Sequence, residues 1–158
     1  MPQQPIQSPL SGDALRETGD ALQQTVVDLI DLSLIAKQAH WNVVGPHFRS
    51  VHLLLDEVVA ATRGFTDAAA ERATAIGVSP NGQAATVVKE SSTSGIESGW
   101  QSDSVVIAAM VTNLRDVITR LRRHIEVTET SDPVTQDLLI GVAARLEQLH
   151  WMWQAQQA

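Results

Sequence analysis

Five side chains of the types that bind metal ions recur at regular spacing between residues 40 and 71. His52 and Asp56 are four residues apart, Asp67 and Glu71 are also four residues apart, and His40 precedes His52 by twelve residues. Imidazoles combined with several carboxylates form a ligand set suited to iron, with zinc and manganese as competitors. The sequence therefore predicts an iron site that uses these residues, with His40 contributed by a separate element.

Four of these five side chains lie on one face of a single predicted helix; they are His52, Asp56, Asp67 and Glu71. At about 100° per residue, with His52 placed at 0°, Asp56 falls near 40°, Asp67 near 60° and Glu71 near 100°. The apolar residues of the same segment fall on the other side, between about 200° and 300°; they are Val51, Leu54, Leu55, Val58, Phe65, Ala69, Ala73 and Ile76. The ligand face therefore points away from the chain's own core, toward solvent or another subunit.

The rise of an α-helix limits which of these residues can share one ion. Asp56 and Asp67 are eleven residues apart, which is about 16 Å along a helix at 1.5 Å per residue. Metal–oxygen bonds are about 2 Å long, so one straight helix cannot bring both pairs to one ion. Two antiparallel copies related by a two-fold axis could do so, and they would form two equivalent sites per dimer.

The segment 37–82 resembles a known family signature. It contains K-Q-A-H-W-N-V-V-G-P-H-F-R-S-V-H-L-L-L-D-E, then D-A-A-A-E-R, then G-V-S-P-N-G. This pattern is similar to that of the Dps mini-ferritins, the DNA-binding proteins from starved cells. The resemblance implies a hollow dodecamer with ferroxidase centres at its dimer interfaces. His40, His52 and Asp56 would come from one subunit, and Asp67 and Glu71 from its partner. The implied activity is oxidation of Fe(II), preferably by hydrogen peroxide, with storage of the ferric product.

Four further residues are candidates for roles in such a shell. Trp41 follows a predicted ligand, so its ring either packs at the helix end or serves as an oxidisable group beside the metal. Glu57 lies beside the ligand face and is either a solvated carboxylate or, by resemblance, part of the cavity surface that nucleates mineral. Asp132 and Asp137 suit an N-cap and a first-turn charge. By resemblance they are also candidates for an acidic iron-uptake pore.

Composition restricts the function further. The chain has 158 residues, a net charge of −7 and a pI of about 5.1. An acidic surface attracts cations and repels nucleic acid, and residues 1–15 and 147–158 contain no Lys or Arg. DNA binding through basic tails is therefore not expected. With no cysteine, no signal peptide and no membrane-spanning apolar run, we expect a cytoplasmic protein, with association with the nucleoid as the alternative.

The hydrophobic pattern predicts an all-α protein with a ferritin-like four-helix bundle. Residues 1–10 form a predicted flexible N-terminal arm, and 11–156 a single domain. A short extra helix is expected in the long crossover between the second and third helices. The four long helices are predicted from Ser11–Asp13 to Asn42, from Pro46 to Ile76, from Ser102–Asp103 to Thr128, and from Pro133 to Gln154, with the short helix at 84–90.

Three alternatives accompany the ferroxidase hypothesis. The first is a DNA-protecting or DNA-compacting shell whose metal site is incidental, although the absence of Lys and Arg from the two tails argues against it. A structural dimer clipped by zinc is disfavoured because the ligand set is rich in carboxylates and lacks cysteine. A di-iron oxygenase is discounted because such bundles carry Glu-x-x-His pairs on two helices, and this chain does not.

Overall fold

The structure is a computed structural model that describes residues 5–157. Five α-helices account for most of the chain. The elements in chain order are α1 (Gly12–Asn42), β1 (Val43–Val44), α2 (Phe48–Ala75), α3 (Ala84–Glu90), β2 (Gln101–Ser102), α4 (Asp103–Ser131), α5 (Pro133–Gln154) and a final 3₁₀ turn (Ala155–Gln157). The predicted helices are all present, with ends shifted by no more than three residues.

The four long helices α1, α2, α4 and α5 form the bundle, and α3 lies in the crossover between α2 and α4. Most of the core is one continuous apolar cluster to which all four long helices contribute. On α2, Val51, Leu55 and Ala69 are fully buried, whereas Asp67 and Glu71 are exposed. The predicted division of this helix into a core face and an outward ligand face is therefore confirmed, as is the ferritin-like fold.

The break between α1 and α2 depends on Gly45. Its φ is +131°, and a Cβ at this position would lie 2.8 Å from the carboxylate of Asp103. That carboxylate accepts a hydrogen bond from the backbone N–H of His47 at 2.7 Å. Beside it, β1 and β2 form a two-residue parallel bridge. The start of α2 is thus fixed to the start of α4, and α2 begins at Phe48 rather than at the predicted Pro46.

A single residue, Asp132, separates α4 from α5. Its carboxylate accepts hydrogen bonds from the backbone N–H groups of Val134 and Thr135, and Pro133 occupies the first helical position. This is the N-cap geometry expected for an Asp-Pro pair. Since the cap residue itself ends the preceding helix, α4 continues to Ser131, three residues beyond its predicted end.

The crossover that follows α3 is attached to the bundle at three places. Asp28 Oδ1 accepts a hydrogen bond from the backbone N–H of Ser92 at 2.9 Å, and Asp31 Oδ2 accepts one from the Thr93 hydroxyl at 2.5 Å. The buried amide of Asn113 accepts from the N–H groups of residues 94 and 95 and donates to the carbonyl of residue 95. These contacts hold a Ser-rich segment that has little apolar surface of its own.

The N-terminal segment is described from residue 5 onward, and the first four residues of the predicted arm lie outside the described residues. Leu10 packs against a second, smaller apolar cluster formed between the start of α1 and the end of α2. In the part of the chain that the structure covers, no helix has the length and hydropathy required to span a bilayer.

Candidate metal centre

The junction between α1 and α2 brings together three of the five predicted ligands. His40 lies in the last turn of α1, and His52 and Asp56 lie in the first turns of α2. The two imidazole rings stack with their centroids 3.6 Å apart and their planes at 20°. His40 Nδ1 lies 3.3 Å from Asp56 Oδ1. Residues twelve to sixteen positions apart in sequence are therefore neighbours in one protomer.

Backbone carbonyls hold the two histidines in a reciprocal arrangement. His40 Nδ1 lies 3.0 Å from the carbonyl oxygen of His52, and His52 Nδ1 lies 2.9 Å from that of His40. A carbonyl oxygen only accepts hydrogen bonds, so Nδ1 carries the proton in each neutral ring. The lone pair is then on Nε2, which is the atom available to a metal ion in both residues.

Lys37 is a part of this cluster that the sequence analysis did not assign to the site. Its Nζ lies 2.7 Å from Asp56 Oδ1. The hydrogen bond from Lys37 is the main cause that lowers the pKa of Asp56 below its usual value, and the positive charge of Lys37 acts in the same direction. Asp56 is therefore ionised at neutral pH. The signal in the sequence was the position of Lys37 one turn before His40, on the same side of α1.

Asp67 and Glu71 lie apart from this cluster. Both are exposed on α2, and the rise of that continuous helix places Asp67 about 16 Å from Asp56. Neither carboxylate forms an ion pair within residues 5–157. Across that same range, no group of three or more His, Asp or Glu side chains in one protomer is arranged to hold a metal ion. The predicted ligands thus lie in two separate groups, which are candidate half-sites of a metal centre.

Two aromatic side chains border the histidine pair. Trp41 is 65% exposed, so packing within one protomer does not account for its position. The ring of Phe48 lies 4.9 Å from that of His52, with the planes tilted by 31°. Phe48 was not among the predicted site residues, although its position four residues before His52 places both on one side of α2.

The two candidate pore residues differ in their surroundings. Asp132 is buried, and its Oδ2 lies 2.6 Å from Arg72 Nη2. Burial acts to raise the pKa of Asp132, but the hydrogen bonds from Thr135 and Arg72 outweigh it and lower that pKa. The structure supports the N-cap interpretation of Asp132 and does not present its carboxylate as a free group for a pore. Asp137 is exposed.

Other charged candidates are mostly paired within the protomer. Glu57 lies 3.4 Å from Arg145, so its carboxylate is not an isolated acidic group on the surface. The one Glu-x-x-His pair of the chain is Glu147 and His150 on α5. Glu147 bonds to Arg122 at 2.6 Å, and a second such pair, as a di-iron oxygenase bundle requires, is absent from the sequence.

Comparisons with known proteins identify the family of this chain. The family model of the ferritin-like domain matches residues 19–158. The DNA protection during starvation protein of Mycolicibacterium smegmatis is 36% identical over 146 residues, which cover 92% of this chain and 80% of the relative.

Two solved structures have the same fold. The tetragonal form of Mycobacterium smegmatis Dps has a TM-score of 0.90 at 34% identity, covering 96% of this chain and 92% of the other. Microbacterium arborescens Dps in the high iron form has a TM-score of 0.91 at 27% identity, covering 96% of this chain and 99% of the other. Because the family model covers most of the chain and the relatives agree in both sequence and structure, this chain belongs to the ferritin-like family and, within it, to the Dps proteins.

Proposed function

We propose that this protein oxidises Fe(II), preferably with hydrogen peroxide, and stores the ferric product inside a hollow dodecamer. Iron is the substrate and the cargo. Each oxidation centre combines His40, His52 and Asp56 of one subunit with Asp67 and Glu71 of its two-fold partner. Zinc and manganese are the competing metals, since they accept the same ligands.

The separation of the two half-sites carries this proposal. His40, His52 and Asp56 are gathered at one place, while Asp67 and Glu71 are exposed on the same helix about 16 Å away. Antiparallel packing of two α2 helices would superimpose the two halves at both ends of the interface. A single protomer also exposes several large apolar side chains on different elements, which favours burial of part of its surface by another copy; they include Leu34, Leu53, Val88 and Trp100.

The residues of each half-site have distinct roles in the proposed reaction. The two Nε2 atoms supply neutral donors, and Asp56 supplies a carboxylate that is already ionised. Asp67 and Glu71 supply the remaining negative charge and bind iron most firmly. Two Fe(II) ions each lose one electron to one hydrogen peroxide, which takes up two protons and leaves as two water molecules. When only one Fe(II) is present, the exposed Trp41 ring donates the second electron, so that no hydroxyl radical is released.

A subunit-mixing experiment tests whether the centre is shared. His52→Ala and Glu71→Ala variants are each expected to lose rapid Fe(II) oxidation by peroxide. In a mixed dimer, one centre carries both substitutions and the other is intact. If the two variants are co-assembled in equal amounts with random pairing, about a quarter of the wild-type centres are restored.

The measurement is anaerobic Fe(II) titration followed by addition of peroxide, monitored by ferric absorbance. If the two variants co-assemble into oligomers of wild-type size but Fe(II) oxidation is not recovered, the centre lies within one subunit. Wild-type protein that oxidises Fe(II) no faster than buffer would refute the ferroxidase proposal itself. Soluble product at about two Fe(II) per peroxide would support the two-iron reaction.

DNA protection is the second candidate function, and the name of the Mycolicibacterium smegmatis relative favours it. The charge of −7 and the absence of Lys and Arg from residues 147–158 oppose direct binding through tails. Protection would then come from removing iron and peroxide rather than from contact with DNA. A gel shift at low salt that weakens as salt is added would instead support direct binding.

The remaining proposals concern location and access. We place the protein in the cytoplasm, with association with the nucleoid as the alternative, and we retain residues 11–156 as a single domain preceded by an N-terminal arm. Exposed Asp137 is the better candidate for an acidic iron-uptake pore, because three copies around an axis would concentrate Fe(II).

A further inference from the structure

We infer that Phe48 is a positioning residue for the metal centre, acting through the imidazole of His52. This inference rests on the proposed function, since it assigns a role within the same site. It concerns a stack of three rings, from Phe48 to His52 to His40, that spans the α1–α2 junction.

The contact between Phe48 and His52 is local to α2. The two residues are four positions apart, the spacing at which side chains on a helix meet. Their ring centroids are 4.9 Å apart with a tilt of 31°, which falls in the range of favourable aromatic pairs. The ring of Phe48 nevertheless remains 43% exposed. Core packing in one protomer therefore accounts for only part of its position.

The other ring contact of His52 is with His40, at 3.6 Å and 20°. Among the described residues, Phe48 is in ring contact with His52 and not with His40. In addition, His52 Nδ1 is tied to the carbonyl oxygen of His40 at 2.9 Å. Three contacts thus restrain the ring, while its Nε2 makes no hydrogen bond within residues 5–157.

Removal of the Phe48 ring releases one of these restraints. The imidazole of His52 then gains freedom to rotate about its Cβ–Cγ bond, which exchanges the places of Nδ1 and Cδ2 and moves Nε2 away from the metal position. Groups that orient a metal ligand change metal affinity by about 10- to 100-fold when they are removed. We expect an effect near the lower limit, because the carbonyl of His40 still restrains the ring.

The test uses the assembled protein and anaerobic titration with Co(II), whose visible absorption reports nitrogen and oxygen ligands without any turnover. Phe48→Leu keeps apolar bulk but removes the ring, and we expect it to weaken Co(II) binding about tenfold. Phe48→Tyr keeps the ring and is the matched control, with Co(II) affinity and spectrum close to those of the wild type. Size-exclusion chromatography of each variant monitors assembly.

A double-mutant cycle separates positioning from a general effect on the subunit interface. If Phe48 acts through His52, the Phe48→Leu substitution has little further effect on Co(II) affinity in a His52→Ala background. If Phe48→Leu lowers Co(II) affinity equally in the wild-type and His52→Ala backgrounds, the inference is overturned. It is also overturned if the wild type oxidises Fe(II) and Phe48→Leu binds Co(II) as tightly as the wild type does. Failure of the wild type to oxidise Fe(II) would instead refute the proposed function, and the inference with it.

Discussion

His124 on α4 makes the stability of this protein depend on pH in a defined range. Its Nε2 is buried and has no hydrogen-bond partner among the described residues. Burial, followed by the positive charges of Arg120 and Arg123, lowers the pKa of His124 from 6.5 to about 4. Between these two values the unfolded chain binds a proton that the folded chain does not. The free energy of unfolding therefore falls as the pH decreases through this range.

The size of the effect follows from the shift. At 1.36 kcal/mol per pKa unit, the full loss below pH 4 is about 3 kcal/mol, and at pH 5.5 it is roughly 1.4 kcal/mol. A His124→Gln variant lacks this penalty. When the pH is lowered from about 7.5 to 5.5, we expect the melting temperature of the wild type to fall by roughly 3 to 6 °C more than that of His124→Gln.

Thermal unfolding of both proteins, followed by circular dichroism at the two pH values, measures this difference. An Arg123→Gln variant offers a second check, because loss of that charge raises the pKa of His124 and should reduce the wild-type loss at low pH. If the melting temperatures of the wild type and His124→Gln differ by the same amount at both pH values, the reasoning is refuted.

Three further predictions concern stability. Asn113→Ala should lower the free energy of unfolding by about 2–3 kcal/mol in chemical denaturation, because it leaves crossover N–H groups unpaired; no change would show that water replaces the amide. Arg72→Met should cost about 3–5 kcal/mol at neutral pH, since Asp132 stays buried without its partner. That cost should shrink in acid as the carboxylate protonates, and a pH-independent loss would contradict the ion-pair explanation. Gly64→Ala should raise the melting temperature, as should its control Gly141→Ala, because a Cβ at either meets nothing within 4 Å. If only Gly64→Ala destabilises the oligomer, Gly64 packs closely against a partner subunit.

The sequence predicted the helices well because their ends are marked by local chemistry. Gly45 and Pro46 mark the break between α1 and α2, and Asp132 followed by Pro133 marks the end of α4 and the start of α5. The outward ligand face of α2 was also predictable, since helical periodicity alone separates Asp67 from buried Ala69.

Features that depend on distant residues were not predictable in this way. The parallel bridge joins Val43 to Gln101, and such pairing has no signature in two residues of sequence. The ion pair of Lys37 with Asp56 and the reciprocal bonds of the histidines arise only when α1 and α2 pack. Asp132 was a pore candidate by resemblance, and its pairing with Arg72 was not predictable because Arg72 lies sixty residues earlier.

The attachment of the crossover has a consequence for the order of folding. The bonds from Asp28 to Ser92 and from Asp31 to Thr93 join residues 64 and 62 positions apart, and the crossover must also meet Asn113 on α4. Closing such long loops is entropically costly before the helices have met. These contacts should therefore form after the transition state, so that weakening them accelerates unfolding while leaving the folding rate nearly unchanged. A segment that touches none of the proposed metal ligands would in this way determine how long each subunit stays folded.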